Sequence, residues 1–235
     1  MRAQCFAPDC VGRQRRPAFT VLSRHRHPAP YVAVVLSGAY EEAGDRGLFH
    51  ATAGSAVLHG GFEGHLNRYA WRGAEVLNLP LPIYARHDPD TPLMTLKDPD
   101  LIVRLAERDP HRAVHLLVAT LCRAETPAPD WPAELAIDLA ADPHLALSAW
   151  ADGRRLAPAT ISRGFKQLFG ITPSAFRAEV RSRKAWLRTV GGRDTLSAIA
   201  AATGFADQAH MTRSVRAVTG RTPGVWRRAV QYAVK

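Results

Sequence analysis

The 235-residue sequence has little cysteine and no long apolar run. Its three cysteines, Cys5, Cys10 and Cys122, are too few and too scattered for a disulfide framework, which indicates a reducing compartment. A membrane-spanning helix needs roughly 18 or more consecutive apolar residues, and the sequence contains no such run. The first residues, MRAQCFAPDC, also lack the apolar segment of a secretory signal. We therefore predict a cytoplasmic protein without a membrane partner.

Acidic residues are scarce in the last 91 residues of the chain. From Leu145 onward there are 16 Lys and Arg against 4 Asp and Glu, which gives a net charge of +12. The residues before Leu145 carry 15 basic and 17 acidic side chains, a net charge of −2. Such an asymmetry predicts that the C-terminal part binds a polyanion, although a solvated basic face without a ligand would show the same charge.

Motifs of common catalytic and nucleotide-binding sites are absent as well. The sequence has no phosphate-binding loop, no glycine-rich dinucleotide fingerprint and no G-x-S-x-G nucleophile motif. We therefore predict no catalytic residues and no nucleotide cofactor.

The first 92 residues have the pattern of a β-rich domain. Short apolar runs at Tyr31–Leu36, Ser55–Leu58 and Glu75–Leu79 are separated by Gly and Pro, which is typical of a sandwich or barrel. Beyond Pro92 the apolar residues recur at helical spacing, and from Trp131 the chain reads as helical to its end. We divide the chain into a barrel at residues 1–92, a helical connector at 93–128 and an all-helical domain at 129–235.

An internal repeat lies in the helical region. Ile161–Arg177 reads ISRGFKQLFGITPSAFR, and Met211–Arg227, fifty positions later, reads MTRSVRAVTGRTPGVWR. The identical pairs are Arg163/Arg213, Gly170/Gly220, Thr172/Thr222, Pro173/Pro223 and Arg177/Arg227. Two copies are too few for a solenoid, which needs about three or more, so we predict two copies of a small helical module.

Each copy begins with a short amphipathic helix. Its buried face is predicted to consist of Ile161, Phe165 and Leu168 in the first copy and of Met211, Val215 and Val218 in the second. Gly170 and Gly220 stand where a left-handed C-terminal cap is needed. Thr172-Pro173 and Thr222-Pro223 then start new helices, with Thr as the N-cap and Pro at the first helical position.

A further short helix precedes each amphipathic helix. In the second copy it is Leu196–Thr203, followed by a turn that contains Gly204. A short helix, a tight turn and a second helix with a basic outer face form a helix-turn-helix, whose second helix enters the DNA major groove. The outer faces carry Ser162, Arg163 and Lys166 in the first copy and Ala209, Thr212, Arg213 and Arg216 in the second. Double-stranded DNA is the predicted partner, because a helical core repeat without a ligand leaves these basic faces unexplained.

The same residues resemble the signature of AraC-type transcription regulators. The resemblance covers about residues 131–228 and rests on Ile199-Ala200, Gly204-Phe205, Asp207-Gln208, Arg213, Gly220, Pro223 and Trp226-Arg227. It implies two helix-turn-helix units joined by one long helix at about Pro173–Val190, and it adds Ala159, Gln208 and His210 to the groove-facing residues. The sequence departs from the family at Arg155, where Gly is common, at Ala157 and Ala206, where Ser often caps the helix, and at Met211 and Val215, where aromatics are usual.

The N-terminal half contains a sparse pattern of His and Gly: His25-Arg26-His27, Gly38, Gly54 and His65-Leu66-Asn67. This pattern resembles that of a cupin barrel, the effector-binding half of many AraC-type regulators. It implies that His25, His27 and His65 converge and hold a divalent metal such as Zn, Fe, Ni or Mn. The carboxylate that catalytic cupins place shortly after His-x-His is missing, and Glu63 is a candidate substitute.

Alternatively, these histidines line a pocket for a small-molecule effector, together with Tyr31, Phe62 and Trp71, or they only stabilise the barrel. The segment Leu101–Arg123 either mediates dimerisation, as it often does in the family, or packs on its own barrel. Its apolar stripe of Val114, Leu117, Val118 and Leu121 suits both roles.

The predicted fold is of the α+β class, with an N-terminal cupin-like β-barrel followed by an all-α domain of two helix-turn-helix units. The predicted function is sequence-specific DNA binding that regulates transcription in response to a small molecule held by the barrel. A homodimer and contact with RNA polymerase are further expectations. Two other functions stay open: a metal-dependent cupin enzyme with a DNA-binding appendage, and a constitutive DNA binder whose barrel only dimerises.

Overall fold

The computed structural model describes residues 11–81, 93–124, 128–142 and 144–233 of the chain. The chain divides into two compact units, with the change between residues 133 and 134. Cys5 and Cys10 lie outside the described residues, as do residues 82–92 and 125–127 beside the predicted domain boundaries, so those boundaries stay predictions. None of the helices in the described ranges could span a bilayer.

The N-terminal unit is built on one antiparallel sheet. Its described strands are β1 (Gly12–Arg16), β2 (Val21–Arg26), β3 (Tyr31–Gly44), β4 (Gly47–Thr52), β5 (Ser55–His59), β6 (Gly64–Pro80), β7 (Leu93–Thr95) and β8 (Cys122–Arg123). The order is β1-β6-β3-β5-β7-β8, with β2 paired to β6 and β4 paired to β3. The predicted α+β class with a cupin-like N-terminal sheet is confirmed, although the described strands do not close into a complete barrel.

Strands β3 and β6 form the spine of this sheet, because they pair from Tyr31 and Pro80 to Gly44 and His65. The register shifts twice near the middle, first between Val35 and Ser37 and then between Gly38 and Tyr40. At the second shift Gly38 faces Ala74 and Tyr40 faces Tyr69, so residues 70–73 of β6 have no partner on β3. A Cβ atom on Gly38 would lie only 2.0 Å from the carbonyl oxygen of Gly73, so this close approach requires Gly.

The two faces of the sheet bury different residues, because alternate side chains of a strand point to opposite sides. Tyr31, Ala33 and Val35 of β3 belong to one apolar cluster. Val32 and Val34 belong to a second cluster, which also contains helix residues. These helices are α1 (Pro99–Ala106) and α2 (Pro110–Thr120).

Helices α1 and α2 cover the second face of their own sheet. Each begins with an Asp-Pro pair, in which the Asp98 and Asp109 side chains accept from the backbone N–H groups of Leu101 and Arg112. Their buried residues are Ile102, Ala113, Val114 and Leu117. Val118, predicted in the apolar stripe, is exposed. The segment Leu101–Arg123 was predicted either to mediate dimerisation or to pack on its own barrel. The structure shows that it packs on its own sheet.

The C-terminal unit is helical. Its helices are α3 (Trp131–Ala141), α4 (Leu147–Gly153), α5 (Pro158–Phe169), α6 (Pro173–Gly191), α7 (Leu196–Ala202), α8 (Gln208–Thr219) and α9 (Pro223–Ala233). Helix α6 is the long connecting helix that the family resemblance implied, and Thr172 caps it by accepting from the backbone N–H of Ala175. Gly170 and Gly220 have φ values of 77° and 76°, which confirms the predicted left-handed caps.

The buried faces of α5 and α8 differ from the prediction at one position each. Ile161 and Phe165 are buried as predicted, but the third buried residue is Phe169, and Leu168 is half-buried. The reason is that Phe169 stacks with Phe165 and meets Phe176 of α6, at ring-centroid distances of 4.5 and 5.5 Å.

In the second copy Met211 and Val215 are buried, and Thr219 takes the place predicted for Val218. The Thr219 hydroxyl accepts a hydrogen bond from the indole N–H of Trp226 at 2.8 Å, which draws this side of α8 against α9.

Candidate DNA-binding surface and histidine cavity

Four histidines surround a small polar cavity of about 60 Å³ on one face of the N-terminal sheet. His25 of β2 pairs directly with His65 of β6, and His27 follows the end of β2. His59 ends β5, opposite Tyr31. The ring centroids of His25 and His65 are 4.3 Å apart, and those of His59 and His65 are 4.6 Å apart. The sheet therefore brings imidazoles from separate strands into contact.

The three histidines singled out from the sequence do come together. The nearest donor atoms of His25, His27 and His65 lie within 4.8 Å of one another. A second group, Glu42, His59 and His65, meets the same limit. Sequence reasoning missed Glu42 and His59, because Glu42 lies beyond the apolar run Tyr31–Leu36 and directly after Glu41.

Hydrogen bonds orient two of these rings. The Nδ1 atom of His25 lies 2.8 Å from the carbonyl oxygen of Ser23, and Nδ1 of His65 lies 3.3 Å from that of Glu63. A carbonyl oxygen only accepts, so each ring carries its proton on Nδ1 and leaves Nε2 as a lone-pair donor. The Nε2 atom of His65 is 3.4 Å from the Tyr31 hydroxyl, which also lines the cavity.

Burial controls the protonation of these side chains. It lowers the pKa of His65 to about 3, with further lowering by His25 and His27. Burial also lowers the pKa of His59 well below its ordinary value, and His65 adds to this effect. The imidazoles of His59 and His65 are therefore neutral at pH 7. Burial raises the pKa of Glu42 to about 8, and the nearby Glu63 raises it further, whereas the hydrogen bond from Asn67 at 2.8 Å opposes the rise.

Glu63, the candidate substitute for the missing carboxylate, serves another purpose. Its carboxylate lies 2.7 Å from the Arg46 Nε and accepts the backbone N–H of Gly60 at 2.9 Å. Glu42, near the end of β3, is a carboxylate that lies beside the histidines. Glu63 is thus held by Arg46 and Gly60, and its place as the substitute carboxylate stays a prediction.

Two aromatic residues predicted for an effector pocket do not line this cavity, whereas Tyr31 does. The side chain of Trp71 is 65% exposed and contacts the Arg72 guanidinium, because residues 70–73 leave the register of β3. Phe62 is buried, but it sits in a turn with φ of 56° and donates its backbone N–H to the carbonyl oxygen of His27. The predicted places of Trp71 and Phe62 in the pocket are therefore corrected.

In the C-terminal unit, α4–α5 and α7–α8 form two matching helix pairs. Arg155 and Gly204 both adopt left-handed backbone, with φ of 54° and 75°. The next residues, Leu156 and Phe205, both donate their backbone N–H to a carbonyl five residues earlier. The two turns thus begin in the same way, and Arg155 adopts the strained backbone that Gly usually takes.

The second helices of the two pairs begin differently. Ala157, at the N-cap of α5, offers no side-chain hydrogen bond, and Pro158 occupies the first turn. At α8 the N-cap is Asp207, whose side chain accepts the backbone N–H of His210 at 2.6 Å. Ala206 therefore lies before the cap, which corrects its predicted place, and the second turn is one residue longer than the first.

The predicted DNA-facing residues lie on the outer sides of α5 and α8. The exposed ones are Ala159, Ser162, Arg163 and Lys166 on α5 and Gln208, Ala209, Arg213 and Arg216 on α8. Thr212 and His210 are half-buried, and the His210 ring packs edge-on against Phe205 with a centroid distance of 5.2 Å. His210 therefore supports the turn as well as lying near the outer face.

The family model described as "Helix-turn-helix domain" matches residues 150–229. This segment is an AraC-type helix-turn-helix domain. The match spans α5 to α8 together with most of α4 and α9. No curated protein matches the chain.

Three solved structures are similar to parts or most of the chain. The C-terminal domain of AraT, a response regulator from Geobacillus stearothermophilus, is 21% identical over 41% of this chain and 83% of its own, with a TM-score of 0.39. A probable AraC family transcriptional regulator from Rhodopseudomonas palustris is 21% identical over 40% and 90%, with a TM-score of 0.37. Unsaturated fatty acid-bound ToxT from Vibrio cholerae is 12% identical over 92% and 94%, with a TM-score of 0.41. At these low scores the family match alone carries the assignment.

Several arginines of the AraC-type domain bind its own backbone. Arg177 donates to the carbonyl oxygen of Leu145 at 2.6 Å, and its repeat counterpart Arg227 donates to that of Thr189 at 3.3 Å. Arg181 of α6 donates to the carbonyl oxygen of Gly204 at 3.0 Å and lies over the Phe205 ring. Burial, together with the charge of Arg177, lowers the pKa of Arg181. Arg177 and Arg181 link α6 to the segments of the two helix pairs, and Arg227 links α9 to α6, so part of the basic charge has a structural role.

Proposed function

We propose that this protein is a sequence-specific DNA-binding transcription regulator whose N-terminal cavity takes a small effector. The observation that carries the proposal is the pair of matching helix-turn-helix units, each of which exposes a basic outer face on its second helix. A helix of this kind fits the major groove, where Arg donates two hydrogen bonds to guanine. The net charge of +12 after Leu145 favours attraction to the phosphate backbone.

The residue roles follow from position in the repeat. Arg163 and Arg213 occupy the same place on α5 and α8, and we assign them to base edges. Lys166 and Arg216, one turn later, are assigned to phosphates or flanking bases. The short side chains at these faces allow close approach of the helix to the groove; they are Ala159, Ser162, Ala209 and Thr212, with Gln208 and His210 at the start of α8.

The N-terminal unit is assigned to effector binding, without a catalytic role. A regulator switches only if its effector binds one conformation better than another, and the histidine cavity is a buried polar site suited to such a ligand. We further propose cytoplasmic function, contact with RNA polymerase and a homodimer. Sedimentation of the full chain with and without DNA would test the dimer.

Selection of binding sites from a random DNA library, followed by titration of the selected and a random duplex, tests the function. Arg163→Ala and Arg213→Ala should each weaken binding to the selected site by about 1–3 kcal/mol, or about 5–150-fold. Both should also reduce the preference for that site over random DNA, because base contacts carry specificity and phosphate contacts do not.

Arg104→Ala is the matched control, since Arg104 is an exposed Arg on α1 of the N-terminal unit and its loss changes the charge equally. It should leave both affinities nearly unchanged. If no site is enriched, or if Arg163→Ala and Arg213→Ala keep the full preference for the selected site, the proposed base contacts are wrong. Equal weakening on all sequences by Arg213→Ala would show that the second unit only clamps phosphates.

A further inference from the structure

The C-terminal unit has a cavity of its own, between α3, α6 and α7. Its volume is about 380 Å³, inside the range of about 300–1,000 Å³ that small-molecule sites occupy. The apolar part of its lining includes Leu139, Val180 and Leu187. The basic part consists of side chains of α6, namely Arg177, Arg181, Lys184 and Arg188, and none of the described residues that line the cavity is acidic.

The four basic side chains form a stripe along α6, called the basic stripe below. They follow one another at intervals of four, three and four residues, so they lie on one side of the helix, where like charges repel each other. Glu179, the acidic residue of α6, is two residues from Arg177 and from Arg181, a spacing at which helix side chains do not face each other. In the described parts of the chain no residue of the stripe forms an ion pair. The stripe therefore lacks a counter-charge, which a bound anion would supply.

Two arginines of the stripe are held in place by other hydrogen bonds. Arg177 donates to the carbonyl oxygen of Leu145, and Arg181 donates to that of Gly204. The Nε atoms of both arginines are buried and have no hydrogen-bond partner. A buried donor without an acceptor costs free energy, and an anionic oxygen is the kind of acceptor that these groups lack. Because the guanidinium groups are already ordered, a ligand would pay little to fix them.

The volume and the charge of the cavity together define the class of ligand. A volume of about 380 Å³ equals about a dozen waters at about 30 Å³ each, which suits a molecule of about a dozen non-hydrogen atoms. A phosphate monoester carries a charge of about −1.5 to −2 at pH 7, and the guanidinium fork matches phosphate oxygens. A simple carboxylate brings a single negative charge to four cations. Leu187, which is 41% exposed, offers apolar surface for the organic group of such an ester.

We propose that this cavity binds a small phosphate monoester, with its phosphate against the basic stripe and its organic group against Leu139, Val180 and Leu187. The site is separate from the histidine cavity and goes beyond the proposed function. Binding of the ester does not depend on DNA and is measured without it.

The test uses the full chain and phenyl phosphate as the probe, in a buffer free of phosphate and sulfate. Calorimetry at about 0.15 M salt limits unspecific attraction, since exposed charges more than about 8 Å apart are then largely screened. We expect one probe molecule per chain, with a dissociation constant below about 1 mM. Benzoate should bind about tenfold more weakly or worse, which corresponds to the loss of one hydrogen bond between charged groups. Benzyl alcohol, which is neutral, should not bind.

Variants at exposed positions keep the test independent of folding, which circular dichroism checks. Lys184→Met and Arg188→Gln should each weaken binding of phenyl phosphate about tenfold or more. Leu187→Ala should weaken binding of phenyl phosphate but leave that of inorganic phosphate unchanged, because inorganic phosphate has no apolar group. Arg193→Gln is the matched control, since Arg193 is exposed, lies outside the cavity and loses the same charge; it should bind like the original chain.

Absence of phenyl phosphate binding to the folded original chain would overturn the proposal. Full affinity in the folded double variant Lys184→Met/Arg188→Gln would do the same, because the probe would then bind elsewhere. Equal affinity for benzoate would refute the assignment to a phosphate ester.

DNA titrations of the same variants test the other anion available to the basic stripe. If Lys184→Met and Arg188→Gln weaken binding to all DNA sequences alike, and Arg193→Gln does not, the stripe contacts the DNA backbone and the small-ligand site is wrong. A chain that binds phenyl phosphate but enriches no DNA site refutes only the proposed regulator function.

Discussion

Replacing Phe205 with Ala should disable the second helix-turn-helix unit by loss of packing, without removal of any DNA contact. Phe205 follows the left-handed turn residue Gly204, and its side chain is 6% exposed. The His210 ring packs against it at 5.2 Å, and the Arg181 guanidinium lies 4.4 Å from the ring centroid. The side chain therefore joins the turn, α8 and α6.

The expected cost comes mainly from the lost burial. Truncation of a buried Phe to Ala costs about 3–5 kcal/mol, and the loss of the Arg181 cation–π contact is included in that range. Whole domains are stable by only about 5–15 kcal/mol, so the change removes a large share of the stability. Urea denaturation followed by circular dichroism should show this loss, and DNA binding should fall in parallel.

The cation–π part can be isolated by the pair Phe205→Leu and Arg181→Met. Both variants keep apolar bulk, so a double-mutant cycle should give a coupling of about 0.5–2 kcal/mol between the two sites. An exposed neighbour, Ala209, provides the control Ala209→Ser, which should leave stability unchanged. If Phe205→Ala keeps the circular dichroism signal and the denaturation midpoint while DNA binding is lost, the assignment of Phe205 to the core is wrong.

Three further predictions follow from charge and backbone geometry. DNA binding should weaken by about 10³–10⁵-fold between 50 and 200 mM salt if about 6–10 phosphates are contacted, and a flat titration would contradict the basic binding face. Arg155→Gly should raise the free energy of unfolding by about 1 kcal/mol, because the φ of 54° strains any residue with a Cβ; a lower melting temperature would refute this reading. Asp45→Asn should cost about 3–5 kcal/mol, since it leaves the buried Arg24 without the carboxylate that lies 2.5 Å away, and an unchanged denaturation midpoint would show that the pair is dispensable.

The sequence by itself determined the helical half in detail, because the signals of helix ends are local. Thr172-Pro173 starts α6 and Gly170 ends α5, and each acts through residues within one turn of itself. The repeat of fifty positions then predicts the second unit from the first. Burial of Phe169 in place of Leu168 needed the tertiary structure, since both lie near the apolar side of α5 and only the contact with Phe176 separates them.

The sequence likewise did not predict which arginines are exposed and which bind the backbone of their own domain. Arg163 and Arg177 are both identical between the repeats, yet one is exposed on α5 and the other donates to Leu145, 32 residues away in the chain. An Arg that is identical in both repeats can be exposed or hydrogen-bonded inside the domain. The sequence does not distinguish the two cases, because the hydrogen-bond partner is remote in the chain.

The histidine cavity shows the same division between local and remote information. The spacing of His25 and His27 predicts that they share a face, because residues i and i+2 of a strand point to the same side. Glu42 and His59 join them only through the pairing of β3 with β5 and β6, and that register depends on contacts between residues far apart in the chain. Residues 70–73 of β6 leave the register of β3 and carry Trp71 away from the cavity, which the tertiary structure alone decided.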